Sequence, residues 1–117
     1  MQTERRGSPR IRTYQPVRLQ PIHSQRSMDT LTKDVSRYGL RCLSEQIFPV
    51  STEISIELTT ADGLLAVRGK SAWFQMIPHS DQVEVGIAFT DLSPNTIRRL
   101  SVYLDRLAQK AISSTTT

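Results

Sequence analysis

The chain has 117 residues, a single cysteine and a formal net charge of +4. That length predicts one domain, and one cysteine excludes an internal disulfide and a cysteine-based metal site. No stretch approaches the roughly 20 apolar residues of a membrane helix, and no apolar signal segment follows the N-terminal charges, so we expect a cytoplasmic protein without a membrane span.

The positive charge is concentrated in the first third of the chain. Residues 1–41 contain nine Arg or Lys against three Asp or Glu, a net of +6. Residues 42–117 contain six basic against eight acidic side chains, a net of −2. This asymmetry indicates an anionic partner for the front of the chain, although a solvated basic tail has the same composition.

The pattern of apolar and polar residues divides the chain into three segments. Residues 1–13 have no regular pattern and contain a Gly-Ser-Pro turn signal, which predicts a flexible basic arm. Residues 14–112 are predicted to form one β-barrel with a C-terminal helix, and residues 113–117 a disordered tail. No internal repeat interrupts this order.

Alternation of apolar and polar residues predicts six short strands within the domain. Their apolar positions lie in Val17–Leu19, Met28–Val35, Leu40–Leu43, Glu53–Leu58, Leu65–Trp73 and Val83–Phe89. Asp62-Gly63 between the fourth and fifth strands is typical of a hairpin turn. Short strands separated by turn signals favour a mainly β fold, a closed six-stranded antiparallel barrel, because closure removes the exposed edges.

A helix is predicted after the last strand. Ser93 is a good N-cap and Pro94 suits the first helical position. Apolar residues then recur every three or four positions, which predicts one buried stripe: Ile97, Leu100, Leu104, Leu107 and Ala111. Such a stripe would cap one end of the barrel or pack against a partner protein.

The arm carries the first candidate binding motif. Arg6 and Arg10 are four positions apart in an RxxxR pattern, with Arg5 just before them and Arg12 just after. Guanidinium groups bind phosphate in a bidentate manner and match the O6/N7 edge of guanine. An arginine-rich chain end without a ligand has the same appearance.

The second candidate motif connects two predicted strands, as Asp34-Val35-Ser36-Arg37-Tyr38-Gly39. The Asp34 carboxylate can accept from the N1–H and N2–H₂ donors of guanine, and Ser36 offers a small donor and acceptor beside it. Gly39 permits a positive φ or a close approach to the backbone. An ordinary turn with locally satisfied Asp and Ser side chains is the alternative.

Taken together, RxxxR on an N-terminal arm and DxSxxG between strands resemble the PilZ family. The resemblance runs from Arg5 to about Leu107 and includes Ala72-Trp73 and the Val85–Phe89 strand. It implies a six-stranded barrel with a C-terminal helix and cyclic di-GMP as the ligand. No motif position departs from the family pattern.

The resemblance also assigns roles to individual residues. Arg6 and Arg10 would hold the phosphates and the guanine Hoogsteen edges, while Asp34 and Ser36 would meet guanine and Gly39 would shape the turn. An arginine at the position of Arg5 is associated in the family with an intercalated cyclic di-GMP dimer. Further contacts are expected from three residues: Arg12, Arg37 and Gly86, the last being alternatively a bend in the barrel.

Other chemistry has little support in the sequence. His23 and His79 lack carboxylate or cysteine neighbours, so no metal is expected. Cys42 is interpreted as a small buried apolar residue and Trp73 as a core residue. Without a Ser/His/Asp set or a glycine-rich phosphate loop, we expect a receptor that is not an enzyme, needs no cofactor and signals to an unidentified downstream protein.

Two other functions remain open at this point. A small basic barrel can bind nucleic acid, but few aromatic residues are available to stack bases, so nucleic acid is not the expected partner. Alternatively, an adaptor with this fold would bind only proteins. Such an adaptor would not need intact ligand motifs, so the intact RxxxR and DxSxxG motifs argue against it.

Overall fold

The computed structural model describes residues 10–90 and 92–115. These ranges contain seven strands and one helix: β1 (Ile11–Arg12), β2 (Pro16–Pro21), β3 (Met28–Val35), β4 (Gly39–Ser44), β5 (Glu53–Thr60), β6 (Gly63–Met76), β7 (Val83–Thr90) and α1 (Pro94–Thr115). The strand predicted at Met28–Val35 coincides with β3, and β4 extends the predicted Leu40–Leu43 by one residue at each end.

The six longer strands form a closed antiparallel barrel. Their order around it is β2, β5, β6, β7, β4 and β3, with β3 pairing back onto β2. The predicted six-stranded barrel with a C-terminal helix is therefore confirmed. β1 is an additional strand within the segment assigned to the arm, and it pairs Ile11 with Val35 and Arg12 with Asp34. This pairing fixes the end of the arm beside the DxSxxG turn.

Alternating side chains fill the barrel as the strand period requires. The fully buried apolar residues come from facing strands, among them Leu19, Leu40, Ile54, Ile56, Leu58 and Val85. Asp62-Gly63 forms the predicted hairpin between β5 and β6, with Thr60 paired to Gly63 and a φ of 113° at the glycine.

A bulge in β6 changes which side chains face the core. Leu65, Val67 and Ser71 are buried as the alternation predicts. The register of β6 on β7 then shifts between Ser71 and Trp73, so that Trp73 lies on the outside of the barrel with 38% of its surface exposed. Its interpretation as a core residue was wrong, because one extra residue in a strand reverses the faces that follow it.

The helix begins where it was predicted to begin. The Ser93 hydroxyl accepts from the Thr96 amide at 3.2 Å, and the Ser93 carbonyl accepts from the Ile97 amide at 2.9 Å. The buried face, however, is centred on Leu100, Tyr103 and Leu107, while Ile97 is 42% exposed. Within the ranges described above, no helix has the length and apolar character needed to cross a membrane.

Candidate functional site

The two sequence motifs meet in space around Arg10. Its Nε donates to Oδ1 of Asp34 at 3.0 Å, and its Nη1 donates to Oγ of Ser36 at 3.2 Å. These contacts join residues 24 and 26 positions apart in the sequence. The pairing of β1 with β3 produces the encounter, because it places the residue just before Ile11 beside the end of β3.

Asp34 is nearly inaccessible and is held from its other side by a second arginine. Only 2% of the residue is exposed, and its Oδ2 accepts from Nε of Arg41 at 2.6 Å. Nη1 of Arg41 donates in turn to Glu84 on β7 at 2.9 Å, and Lys33 donates to the same carboxylate at 3.2 Å. The hydrogen bond to Asp34 raises the pKa of Arg41 above its ordinary value, so this cation is permanent.

The turn between β3 and β4 is tightly hydrogen-bonded. The Ser36 amide donates to the Gly39 carbonyl at 2.8 Å, and the Ser36 hydroxyl accepts from the Tyr38 amide at 3.2 Å. Gly39 is required here for space and not for a positive φ. A Cβ at this position would lie 2.2 Å from the Ile87 carbonyl oxygen, and Gly39 is not among the residues with positive φ.

Five residues on five neighbouring strands form a row across the outside of the barrel, which we call the cross-strand row. Arg12 pairs with Asp34, Asp34 with Arg41, Arg41 with Gly86, and Gly86 with Trp73. The row presents a guanidinium at one end, an indole at the other and an ion pair between them. This combination suits a flat, anionic ligand, because cations attract phosphate while aromatic and guanidinium planes stack on bases.

Within the cross-strand row, the side chain of Trp73 covers Gly86. A Cβ at Gly86 would be only 2.3 Å from Cε2 of the Trp73 ring. Packing of the indole against β7 is thus one reason for a glycine at position 86, beside the ligand contact or barrel bend expected from the sequence.

The remaining predicted residues take different positions. Arg12 and Arg37 are exposed next to the motifs, and the Arg37 guanidinium lies 5.7 Å from the ring centre of Tyr38. Arg5 and Arg6 lie outside the described residues. Near the turn, the described cationic side chains (Arg10, Arg12, Lys33, Arg37 and Arg41) outnumber the carboxylates of Asp34 and Glu84, so the surface is positive.

Cys42 and the two histidines were the other residues considered for reactive or metal-binding chemistry. Cys42 is fully buried as predicted, and burial raises the pKa of its thiol to about 12, which keeps it protonated and unreactive. His23 and His79 are exposed, and no cluster of three or more metal-ligating residues occurs in the described ranges.

One cleft of the described residues lies away from the cross-strand row. It has a volume of about 540 Å³ and lies between α1 and the β5–β6 hairpin, with Asp62, Arg98, Tyr103 and Arg106 among its lining residues. Among the residues that the structure describes, none of those singled out as ligand contacts lines it.

Sequence reasoning missed Arg41 and Glu84 as parts of the site. Arg41 lies two positions after Gly39 and therefore points to the same outer face as the turn. That spacing could have indicated its place beside Asp34. Glu84 is 43 residues from Arg41, and only the pairing of β4 with β7 brings them together.

Comparison with known proteins places this fold among characterised barrels. The family model described as PilZ domain matches residues 4–106. The PilZ domain of YcgR from Escherichia coli, solved with c-di-GMP, superimposes with a TM-score of 0.78 at 16% identity, over 97% of this chain and 98% of that one.

Two longer proteins contain a similar unit. The complex of MrkH from K. pneumonia with c-di-GMP matches with a TM-score of 0.77 and 13% identity, over 92% of this chain and 54% of that one. MotI/DgrA, an inhibitor of motility from Bacillus subtilis, matches with a TM-score of 0.73 and 11% identity, over 93% and 52%. This chain thus spans about half the length of each. A search of curated proteins by sequence found no match.

Proposed function

This chain belongs to the PilZ family, and we propose that it is a receptor for cyclic di-GMP that binds the dinucleotide on the cross-strand row and the adjoining arm. One observation carries the proposal. Arg10 of RxxxR reaches both Asp34 and Ser36 of DxSxxG, so the two motifs form a single surface. The c-di-GMP complexes of YcgR and MrkH, which share this fold, support the choice of ligand.

The chemistry of that surface fits the parts of the nucleotide. Arg6 and Arg10 would bind the phosphates and the O6/N7 edge of guanine, because guanidinium donors are spaced for both. Asp34 would accept from N1–H and N2–H₂, which guanine has and adenine lacks in that arrangement. The exposed indole of Trp73 would offer an apolar face to a base.

Binding would exchange one ion pair for another. Without ligand, Oδ1 of Asp34 is occupied by Nε of Arg10. When Arg10 turns to a phosphate or to guanine, that oxygen becomes available for the guanine donors. The Arg10 side chain is 45% exposed, and Asp34 keeps Arg41 as a cationic partner when Arg10 leaves. The exchange therefore leaves no buried charge uncompensated.

Signalling would follow from the position of the arm. The arm joins β1, which pairs with β3 and also touches α1, so closure of the arm over a nucleotide would change the surface beside the helix. We propose that a downstream protein recognises this altered surface. The protein would act by binding and not by catalysis, in the cytoplasm, where a nucleotide messenger is available.

Titration calorimetry with cyclic di-GMP tests the proposal, with GTP, cyclic GMP and single-stranded DNA as controls. A receptor binds cyclic di-GMP and ignores all three controls. Preference for the DNA, with an affinity that falls steeply as salt rises, would identify a nucleic-acid-binding barrel instead. Failure to bind any of these ligands would leave a protein-binding adaptor. Emission from Trp73, the single tryptophan, provides an independent binding signal.

A further inference from the structure

The carboxylate of Asp34 is shared between two arginines of different character. Oδ1 accepts from Arg10, which comes from the arm side and is 45% exposed. Oδ2 accepts from Arg41, which lies on β4 within the barrel wall and is 31% exposed. We propose that Arg41 is a positioning residue that fixes Asp34 for guanine recognition, an assignment that rests on the proposed function.

Arg41 is itself held from both sides, which makes it a rigid anchor. Its Nε and Nη2 both contact Oδ2 of Asp34, and its Nη1 donates to Glu84 at 2.9 Å. Lys33 contacts the other oxygen of Glu84 at 3.2 Å. The order Asp34, Arg41, Glu84, Lys33 thus alternates in charge across three strands, β3, β4 and β7. A side chain fixed at two ends loses little further freedom when it orients a neighbour.

The anchor is needed because Asp34 is almost completely buried. A buried carboxylate without a cationic partner is costly, and the penalty is larger when the only remaining partner must leave to bind a ligand. With Arg41 on Oδ2, the charge of Asp34 stays compensated after Arg10 has moved to the nucleotide. Arg41 therefore permits the exchange at Oδ1 on which the proposed recognition depends.

Loss of Arg41 would have a specific consequence. Asp34 would then keep Arg10 as its nearest cation, and a carboxylate favours a bidentate pair with a single guanidinium. Arg10 would be retained on Asp34 and withheld from the ligand. Arg41 thus affects affinity through Asp34, without touching the nucleotide, and its effect must disappear when Asp34 is removed.

A double-mutant cycle tests this dependence. The variants are Arg41→Gln, Asp34→Ala and the combination, with Kd for cyclic di-GMP measured by calorimetry at low salt. We expect Arg41→Gln alone to raise Kd about threefold to thirtyfold, the range of coupling within one hydrogen-bonded network. In the Asp34→Ala background the same substitution should change Kd less than about twofold.

The matched control is Arg18→Gln. Arg18 forms an equivalent Nε–Oδ1 ion pair with Asp29 at 2.8 Å, but on the exposed β2–β3 surface. The Arg18→Gln variant should leave Kd for cyclic di-GMP unchanged. The ratio of the Kd values for cyclic di-AMP and cyclic di-GMP is a second readout, and it should narrow in Arg41→Gln because a displaced Asp34 no longer discriminates the base.

Two further variants keep the test decisive if Arg41→Gln fails to fold. Glu84→Gln removes the outer anchor while retaining Arg41, and should weaken binding in the same direction by a smaller factor. Arg41→Lys keeps the charge but not the fork of donors, and should bind between the wild type and Arg41→Gln. Unchanged binding and base preference in both variants would refute the assignment.

The remaining outcomes separate the two proposals. Equal loss of affinity from Arg41→Gln in the wild-type and Asp34→Ala backgrounds would show a direct ligand contact and overturn the positioning role. A wild type that binds cyclic di-GMP with Arg41→Gln unaffected would refute the role of Arg41 alone. A wild type that does not bind cyclic di-GMP would refute the proposed function, and the assignment with it.

Discussion

The indole of Trp73 lies directly against the backbone of Gly86, on the outside of the barrel. A Cβ on Gly86 would be 2.3 Å from Cε2 and 2.4 Å from Nε1 of the ring, distances at which the ring must move. Both residues belong to the cross-strand row, and Gly86 pairs with Arg41 on its other side. The aromatic surface beside the proposed site therefore depends on one glycine.

Gly86→Ala should displace Trp73 and destabilise the barrel by about 1–3 kcal/mol, the usual cost of adding a methyl group to a closely packed position. The emission of Trp73 should change, and urea unfolding followed by circular dichroism gives the stability. In a Trp73→Ala background the ring is gone, so the same substitution should cost much less. An equal cost in both backgrounds would contradict the packing explanation.

Arg10→Ala should weaken cyclic di-GMP binding about ten- to a hundredfold, since hydrogen bonds to charged groups contribute roughly 1.5–3 kcal/mol. The midpoint of thermal unfolding should change little, because the Arg10 side chain is 45% exposed and Arg41 still compensates the charge of Asp34. Arg6→Ala is expected to weaken binding similarly. Calorimetry measures both, with Arg26→Ala in the exposed β2–β3 connection as the control. Wild-type affinity in both variants would end the arginine assignment.

Asp34→Ala should reduce both affinity and base discrimination. If Asp34 reads the N1 and N2 donors of guanine, the wild type should prefer cyclic di-GMP to cyclic di-AMP, and the variant should narrow that preference. Titrations with the two nucleotides measure the ratio. If the wild type bound cyclic di-GMP and cyclic di-AMP equally, guanine recognition by Asp34 would be excluded, even if Asp34→Ala bound both nucleotides more weakly.

The sequence predicted the fold and the motif residues more fully than the contacts between them. Alternation and Asp62-Gly63 were sufficient for the six barrel strands and one hairpin, because both are local signals. The contact of Arg10 with Asp34 depends on β1 pairing with β3. The resemblance to a family indicated that both residues bind one ligand, but not that they contact each other. The pairing of Arg41 with Glu84 needs the register of β4 on β7, for which the sequence carries no local signal.

Two errors had identifiable physical causes. Trp73 was assigned to the core because strict alternation continues through β6, whereas a bulge after Ser71 turns it outward. The stripe on α1 was drawn through Ile97 and Leu104, but the helix is rotated so that Tyr103 is buried and Ile97 is exposed. A tyrosine such as Tyr103 is compatible with either a buried or an exposed position, so the packing of α1 against the barrel determines which one it takes.

Alkaline pH should destabilise the protein partly through Tyr103. Its hydroxyl is buried without a hydrogen-bond partner among the described residues, and burial raises its pKa from 10.0 to about 12. The unfolded chain loses this proton first, so the free energy of unfolding should fall as pH rises from 10.0 towards 12. Urea unfolding across this range measures the slope.

Tyr103→Phe should flatten that slope and cost little at neutral pH, because it removes a hydroxyl that has no partner to lose. Tyr38→Phe is the control, because it removes the hydroxyl of a side chain that is 61% exposed. It shows how the loss of a solvated phenol alone changes the slope. Cys42, whose pKa is also raised to about 12, would contribute in the same direction and remains in both variants. Identical slopes for the wild type and Tyr103→Phe would contradict the role of Tyr103.

Ligand stoichiometry should depend on Arg5. This arginine directly precedes RxxxR, where it adds a guanidinium that can clamp a phosphate and stack on a guanine face. Cyclic di-GMP pairs with itself by intercalating its bases, and the compact dimer carries twice the phosphate charge of one molecule. The exposed Arg12 and Arg37 lie close enough to the motifs to help balance that charge.

We therefore expect about two nucleotides per chain for the wild type and about one for Arg5→Leu, since the dimer needs more cations than a single molecule does. Calorimetric titrations of both proteins at the same salt concentration give the ratios. Arg5→Lys is the matched control, because it keeps the charge and loses the planar stacking surface, and an intermediate ratio would show that both properties count. A wild-type ratio near one, or an unchanged ratio in Arg5→Leu, would show that Arg5 does not hold a second nucleotide.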